Sequence, residues 1–544
     1  MFLIILSSII IISTLIGLGK MMENNMGSIC DGISGHILTG ILGLSLIWLI
    51  ISFFVPLNIY VEIITIMIGT FYFFKKKVYR ETYAIFKKNT FSIISICLIV
   101  LFSGSYYPFI LDHFGYYVPT IKWLTEYGII KGISNLDLTL GQMSVWHIFQ
   151  SGFSNFSDPF LRMNVILLII YVIYIYEKES WIQLCFIPVL LLFSQSPTPD
   201  LPVILFSLII LHEIFIDNRR TYLLFAFSVF VFAIKPTMIW LPIVSFGYSL
   251  FIIRSNGKSF ILGGVIICLF FFKNIWTFGY PIFPISIGNL GIPWKPNPEI
   301  LTTSSQFAIL KTFDMQYTYQ EIQTFSWQDY IKNWLFLPGI KSVINITFII
   351  SLFLFILYSF IKKKKVITLI CVSLLIKSIL ILSFSAQYRF FIDVFFIIFF
   401  IVFNDLLNKK RSLLICYSLS IFFIFFLTFP KLIQQLLPSF MLSNFMGKFE
   451  KKQIIKPSTY EYNKFDSFKI GNLTFNISNN YSYNFDTPLP SISPSYVIED
   501  VKAGIFPQLI DEKDIKKGII WKHLDAAEKK EAQKVIHFIE KTYQ

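Results

Sequence analysis

Five points along this chain set an ionisable residue at or beside the end of an apolar run. Asp112 and His113 follow such a run directly in PFILDHFGYYVPTIKWL, with Tyr116 one helical turn further on. Asp200 closes SPTPD where another run begins, and Lys235 interrupts two runs in AIKPT. Lys273 lies in FFKNIWTFGYPIFP, and Arg389 in SAQYRFFID close to Asp393. A charge beside hydrocarbon is costly to keep unless it serves a purpose. Lys and Arg at headgroup level hold a phosphate by charge-assisted hydrogen bonds, and a carboxylate activates a hydroxyl by taking or aligning its proton. The expected chemistry is transfer from a phosphate-bearing lipid to a hydroxyl, with Asp112 as base and Lys235, Lys273 and Arg389 around the leaving phosphate. Each residue also has a plainer reading. Asp112 and Asp200 are good helix caps, Lys235 and Lys273 can snorkel to an interface, and Arg389 can pair with Asp393 at i, i+4.

The elements that must position these groups are membrane helices. The 544 residues are 55% hydrophobic and 14% charged, with a mean hydropathy of +0.67, whereas soluble domains carry about 25% charge. A span needs about 20 mostly apolar residues. About fourteen segments are expected to qualify, near 2–18, 36–55, 58–74, 91–109, 159–176, 181–195, 200–217, 221–235, 237–253, 258–275, 341–361, 366–384, 387–407 and 412–429. The net charge of +14 falls in short clusters between them, which is a topology signal rather than a nucleic-acid surface. Lys75 to Lys77 with Arg80, Lys87 and Lys88, then Arg219 and Arg220, Arg254 and Lys258, Lys362 to Lys365, and Lys409 to Arg411 all fall on one side of that count. The positive-inside rule makes that side cytoplasmic. The expected fold is an all-α polytopic bundle over 1–429 in a bacterial cytoplasmic membrane. Its N-terminus, its long loops 110–158 and 276–340 and the tail 430–544 are expected on the outer side.

Six of the ten Trp lie in those two loops, which suggests that the loops run along the membrane surface. Gly115 to Tyr127 has near-helical apolar spacing, as an interfacial amphipathic helix would. In the tail, FKIGNLTFNI reads as a hairpin, DTPLP as a turn and 525–543 as a charged helix, so a small α+β region is expected there. The six Cys form no CxxC pair and the six His no HxxxH pair. Neither a metal site nor a disulfide framework is indicated, and no cofactor is expected.

A long outer loop that opens with an acidic residue directly after a span resembles the first loop of GT-C glycosyltransferases. DHFGYYVPTIKWLTEYGIIKGISNLDLTLGQMSVW, SPTPDLP, AIKPT, FKNIWTFGYPIFP, AQYRFFIDVF and, in the tail, DTPLP resemble an uncharacterised family of bacterial polytopic membrane proteins sharing those features. The chain departs from that pattern at Tyr117, Thr139, Asn484 and Ser491. The resemblance implies a GT-C-like bundle that moves a sugar from a polyprenyl-phosphate-linked donor to a glycan or glycolipid acceptor. It implies Asp112 as the catalytic carboxylate with Tyr116 beside it, and Lys235, Lys273 and Arg389 as contacts to the anionic lipid, with His113 and Asp200 alongside. Two other functions fit the same pattern: a transporter or flippase of lipid-linked glycans, and a polymerase or ligase that relies on Arg389 alone.

Overall fold

A computed structural model of the chain describes residues 1–436, 443, 445–462, 464–479 and 481–543. In an apolar setting a backbone satisfies its own N–H and C=O groups most simply as helix, and the long Ile, Leu and Phe runs do so. Among the described residues six helices are long and apolar enough to cross a membrane: Phe2–Met26, Ile33–Ile51, Gly257–Phe278, Ile340–Lys362, Lys365–Phe384 and Lys409–Thr428. The other expected segments are helical but shorter: Ile59–Lys75, Thr90–Ser103, Met163–Lys178, Trp181–Phe193, Asp200–Phe215, Thr221–Ile234, Pro236–Ile252 and Tyr388–Phe403. By length and composition the structure therefore supports six crossings, not the fourteen full-length spans expected. Proline accounts for part of the shortening. Pro188 sits in Trp181–Phe193, which opens and closes in 3-10 turns, and Pro236 holds Lys235 in an extended break between two helices.

The first three helices approach through glycine. A Cβ on Gly19 would lie 1.7 Å from the His36 carbonyl oxygen, and one on Gly17 1.9 Å from that of Gly69. Backbone cannot yield as a side chain can. Gly19→Val is therefore expected to lower stability by about 1–3 kcal/mol or more, read as an earlier thermal transition in detergent; an unchanged transition would contradict the close approach.

Loops gather at two ends, and the Ile33–Ile51 helix runs from one to the other. At the first, Lys178 donates to the Asp31 carbonyl (2.9 Å), Asn218 to that of Ile29 (2.8 Å), and Lys409 to Asn89 (2.7 Å). Thr221 and Ser255 share a hydrogen bond there as well (2.8 Å), so several of the basic clusters meet at this end. At the second, the Leu57 amide donates to the Leu124 carbonyl (2.9 Å), Ile129 to Ser52 (2.7 Å) and Gly132 to Trp276 (2.8 Å).

The tail forms two antiparallel hairpins, β1 (Phe465–Ile470) with β2 (Leu473–Ser478), and β3 (Ile505–Leu509) with β4 (Ile519–His523). The β1–β2 register closes on Ile470 opposite Leu473, where the alternating sequence placed it. The Ala526–Tyr543 helix packs on β1 through Phe538 and Phe468, ring centroids 4.9 Å apart. This region is joined to the second end of the bundle: Ser458 donates to the Ser105 carbonyl (2.9 Å) and Ile519 to that of Lys131 (2.9 Å).

The Trp-rich loops are more deeply embedded than a membrane-surface layer would be. Trp123 and Trp146 are fully buried and Trp334 nearly so, while Trp327 is 72% exposed. An indole needs an apolar surround and one acceptor. Trp146 finds its acceptor inside the protein on Asn164 Oδ1 (3.1 Å). The expected amphipathic helix is a π-helical turn, His113–Tyr117, leading into Val118–Glu126, whose Ile121, Trp123 and Leu124 face the protein core.

Candidate functional site

Asp112 immediately precedes the π-helical turn, which the Val118 amide closes on the His113 carbonyl. Such a turn takes up an extra residue and re-aims the side chains beside it. Asp112 makes no cap hydrogen bond with this turn. Its Oδ2 instead accepts from Arg389 Nη1 (2.8 Å) and from the Tyr116 hydroxyl (3.3 Å). Burial and the Asp112 charge hold the Tyr116 phenol well above its usual range, so Tyr116 keeps its proton and acts as a donor.

Arg389 is the second residue of the Tyr388–Phe403 helix. A cation at a helix N-terminus opposes the helix dipole and needs a carboxylate close by, which Asp112 supplies from 277 positions away. The local Arg389–Asp393 pair expected from spacing does not form. Asp393, buried, pairs with Lys377, whose side chain is fully buried, and accepts from Trp240 Nε1 (3.0 Å).

A second ion pair joins Lys235 to Asp200, and Lys235 Nζ also lies 3.4 Å from the Arg389 carbonyl oxygen. Asp200 is the first residue of its helix, and its Oδ2 accepts from the Thr198 hydroxyl (3.1 Å), which in turn accepts from Tyr117 (3.4 Å). A small cavity lined by Asp200, Lys235, Thr237, Arg389, Phe390 and Asp393 runs between the pairs. Asp112, Tyr116, Asp200, Lys235 and Arg389 thus lie together.

Two expected members stand apart. His113 is turned into the core beside Phe114, and burial and Arg162 push its imidazole down to about 3, so it is neutral at physiological pH. Arg162 is itself fully buried and binds the Gly104, Phe160, Tyr106 and Ser458 carbonyls, which fixes the loop under Asp112. Lys273 is also fully buried, and it donates to the Gln142 (2.8 Å) and Met143 (3.0 Å) carbonyls. Its ammonium clamps the Leu138–Gln142 turn rather than facing the Asp112 cluster, and this differs from both the anion-binding and the snorkelling expectations.

The structure adds groups that spacing did not mark. Lys311 stands in the loop helix Pro298–Thr312, whose C-terminal turn is fastened beside Arg389: the Ser385 hydroxyl donates to the Ala308 carbonyl (2.9 Å) and the Ala386 amide to Thr312 Oγ1 (3.2 Å). Burial, then the nearby Arg389 charge, lower the Lys311 ammonium from its usual range, while Asp112 acts the other way. The only signal for it in sequence is one cation in the otherwise uncharged FAILKTF. From the tail, Tyr483 comes to 3.8 Å from a Cβ position on Gly115, and its phenol is raised by burial and then by Asp112. Asp486 of DTPLP pairs with Lys122 (2.5 Å), and the Phe485 amide donates to the Phe114 carbonyl (3.1 Å). The tail therefore covers the turn that carries Asp112.

No curated protein and no solved structure matches the chain. A family described as a domain of unknown function, DUF8201, matches residues 1–396 of the 544. That stretch holds Asp112, Tyr116, Asp200, Lys235, Lys311 and Arg389 and leaves the tail outside, and the chain belongs to this family.

Proposed function

We propose that the protein is a membrane glycosyltransferase of GT-C type, moving a sugar from a polyprenyl-phosphate-linked donor to an acceptor hydroxyl in cell-surface glycan assembly. The observation that carries this reading is the partly exposed Asp112–Arg389 pair (25% and 40%) at the end of the bundle that the tail joins, with Lys235 and Lys311 beside it. In this mechanism the donor phosphodiester draws Arg389 off Asp112 and thereby frees the carboxylate. Asp112 takes the acceptor proton as the acceptor oxygen bonds to the anomeric carbon, and the bond from that carbon to the phosphate oxygen breaks. Charge supports the scheme. Arg389, Lys235 and Lys311 against Asp112 and Asp200 leave three positive and two negative charges, a net +1 that matches the donor monoanion. When Asp112 is protonated the site becomes +2, as the leaving phosphate gains its second negative charge. Tyr116 holds Asp112 in place through its hydroxyl.

The basic clusters mark the cytoplasmic end in this reading, and the Asp112 end faces outward. Reporter fusions after Ile130 and Leu310 are expected to report the outer side; a cytoplasmic signal from either would remove the site from its lipid donor. The activity test is the full chain in nanodiscs, given radiolabelled polyprenyl-phosphate hexoses and oligosaccharide acceptors. Label is expected on the acceptor, and transfer by Arg389→Ala at the wild-type rate, or no transfer from any donor, would overturn the proposal. Lys311→Ala is expected to raise the donor KM roughly tenfold, about 1.4 kcal/mol, with kcat changed less. Equal loss in kcat with KM unmoved would place Lys311 outside donor binding.

A further inference from the structure

The Pro298–Thr312 helix that carries Lys311 also forms one wall of a cleft. Glu299, Ile300, Thr303 and Phe307 look across an open cleft of about 440 Å³ at Ser495, Ile498, Glu499 and Lys502 of the tail helix Pro494–Lys502. Both sets repeat at helical spacing, so two helix faces form the walls. The volume is in the range of small-molecule sites, roughly 300–1,000 Å³.

The walls are mixed in a particular way. Phe307 is 39% exposed and offers the only aromatic ring among the lining residues. Around it stand two hydroxyls, Thr303 and Ser495, two carboxyls, Glu299 and Glu499, and one ammonium, Lys502. A pyranose has an apolar C–H face suited to the negative face of an aromatic ring and hydroxyl edges that hydrogen-bond to carboxyls and hydroxyls. Two carboxyls against one ammonium disfavour an anionic ligand. Burial raises the Glu499 carboxyl above the usual range, while Lys502 acts the other way.

The cleft also lies near the Asp112 site. Phe307 lies one helical turn from Lys311, about 6 Å along the axis, and that end of the helix is bonded to the Ser385–Ala386 segment just before Arg389. In the tail helix, Tyr496, the neighbour of the cleft residue Ser495, lies within electrostatic reach of Tyr116.

We propose that this cleft binds the acceptor as a neutral saccharide chain, one ring against Phe307 and its hydroxyls on Glu299, Thr303, Ser495 and Glu499, with the reacting end toward Asp112. The word acceptor rests on the transferase reading; saccharide binding in the cleft does not. The test is saturation-transfer NMR on the full chain in nanodiscs, with cellotriose, maltotriose and chitotriose as probes. At least one is expected to bind. Thr303→Trp, which fills the cleft from a half-buried position, is expected to abolish that binding, and Phe307→Ala to weaken it at least tenfold. Should Thr303→Trp fail to fold, Phe307→Ala, which trims a surface ring, carries the test. Absence of binding by all three probes, or binding indifferent to Thr303→Trp and Phe307→Ala, would each overturn the proposal. A chain that binds a probe through Thr303 yet never transfers label keeps the cleft and removes the transferase reading. One that transfers label but binds probes independently of the cleft residues removes the cleft alone.

Discussion

Asp112→Asn is expected to reduce sugar transfer by about 10²–10⁴-fold, the contribution of a general base, with the thermal transition almost unmoved. The amide keeps the shape and can still accept from Arg389 and Tyr116, but it cannot take a proton. The pair it weakens is partly exposed, at 25% and 40%, and such pairs contribute about 0–1 kcal/mol. Activity and stability therefore separate at this position. Wild-type transfer in the variant would remove the base assignment, and a large drop in thermal stability would make Asp112 a structural residue. Arg389→Ala sharpens the distinction. A polymerase or ligase that relies on the arginine alone would lose activity there while tolerating Asp112→Asn, whereas the transferase reading requires loss in both.

Lys377→Met should produce the largest stability loss, about 3–5 kcal/mol, since removing one partner of a buried pair strands the other charge. Lys377 donates to both carboxylate oxygens of Asp393, and beyond it Asp393 has the Trp240 indole. The double variant Lys377→Met with Asp393→Leu should regain most of the loss, because an apolar pair can replace a buried ion pair at little cost or with a gain. If the double variant is as unstable as the single, packing rather than stranded charge explains the effect. Asp393 shares its helix with Arg389, so the single variant is also expected to lose transfer by displacing Arg389.

Much of this architecture was legible in sequence, for local reasons. Apolar runs of Ile, Leu and Phe marked the helices of the bundle but not the loop helix Pro298–Thr312 or the tail helix Pro494–Lys502, and alternation marked β1 and β2. Asp112, Asp200, Lys235 and Arg389 stood out because charge at the ends of apolar runs is unusual, whereas Tyr116 was implied only by the family resemblance. What misled was the use of local rules for groups whose partners are remote. Arg389 and Asp393 are four residues apart, and in an isolated helix they would pair for a few tenths of a kcal/mol. In the packed bundle a remote Asp112 and a remote Lys377 divide them. Trp123 and Trp146 carried the composition of an interface belt, yet the loops fold back over the bundle and bury them.

Helix placement, the choice of ionisable residues at helix ends and the tail hairpin are properties of short windows, decided by hydrophobic burial and backbone hydrogen bonding. The sequence alone determined those. Which carboxylate meets which cation, that Lys273 and His113 stand apart while Lys311 joins, and that two helix faces enclose a cleft depend on which elements pack side by side. Only the tertiary structure decided these. The reason is that a charge moved out of water interacts strongly over several ångströms, so its partner is selected by proximity in the packed molecule and not by distance along the chain.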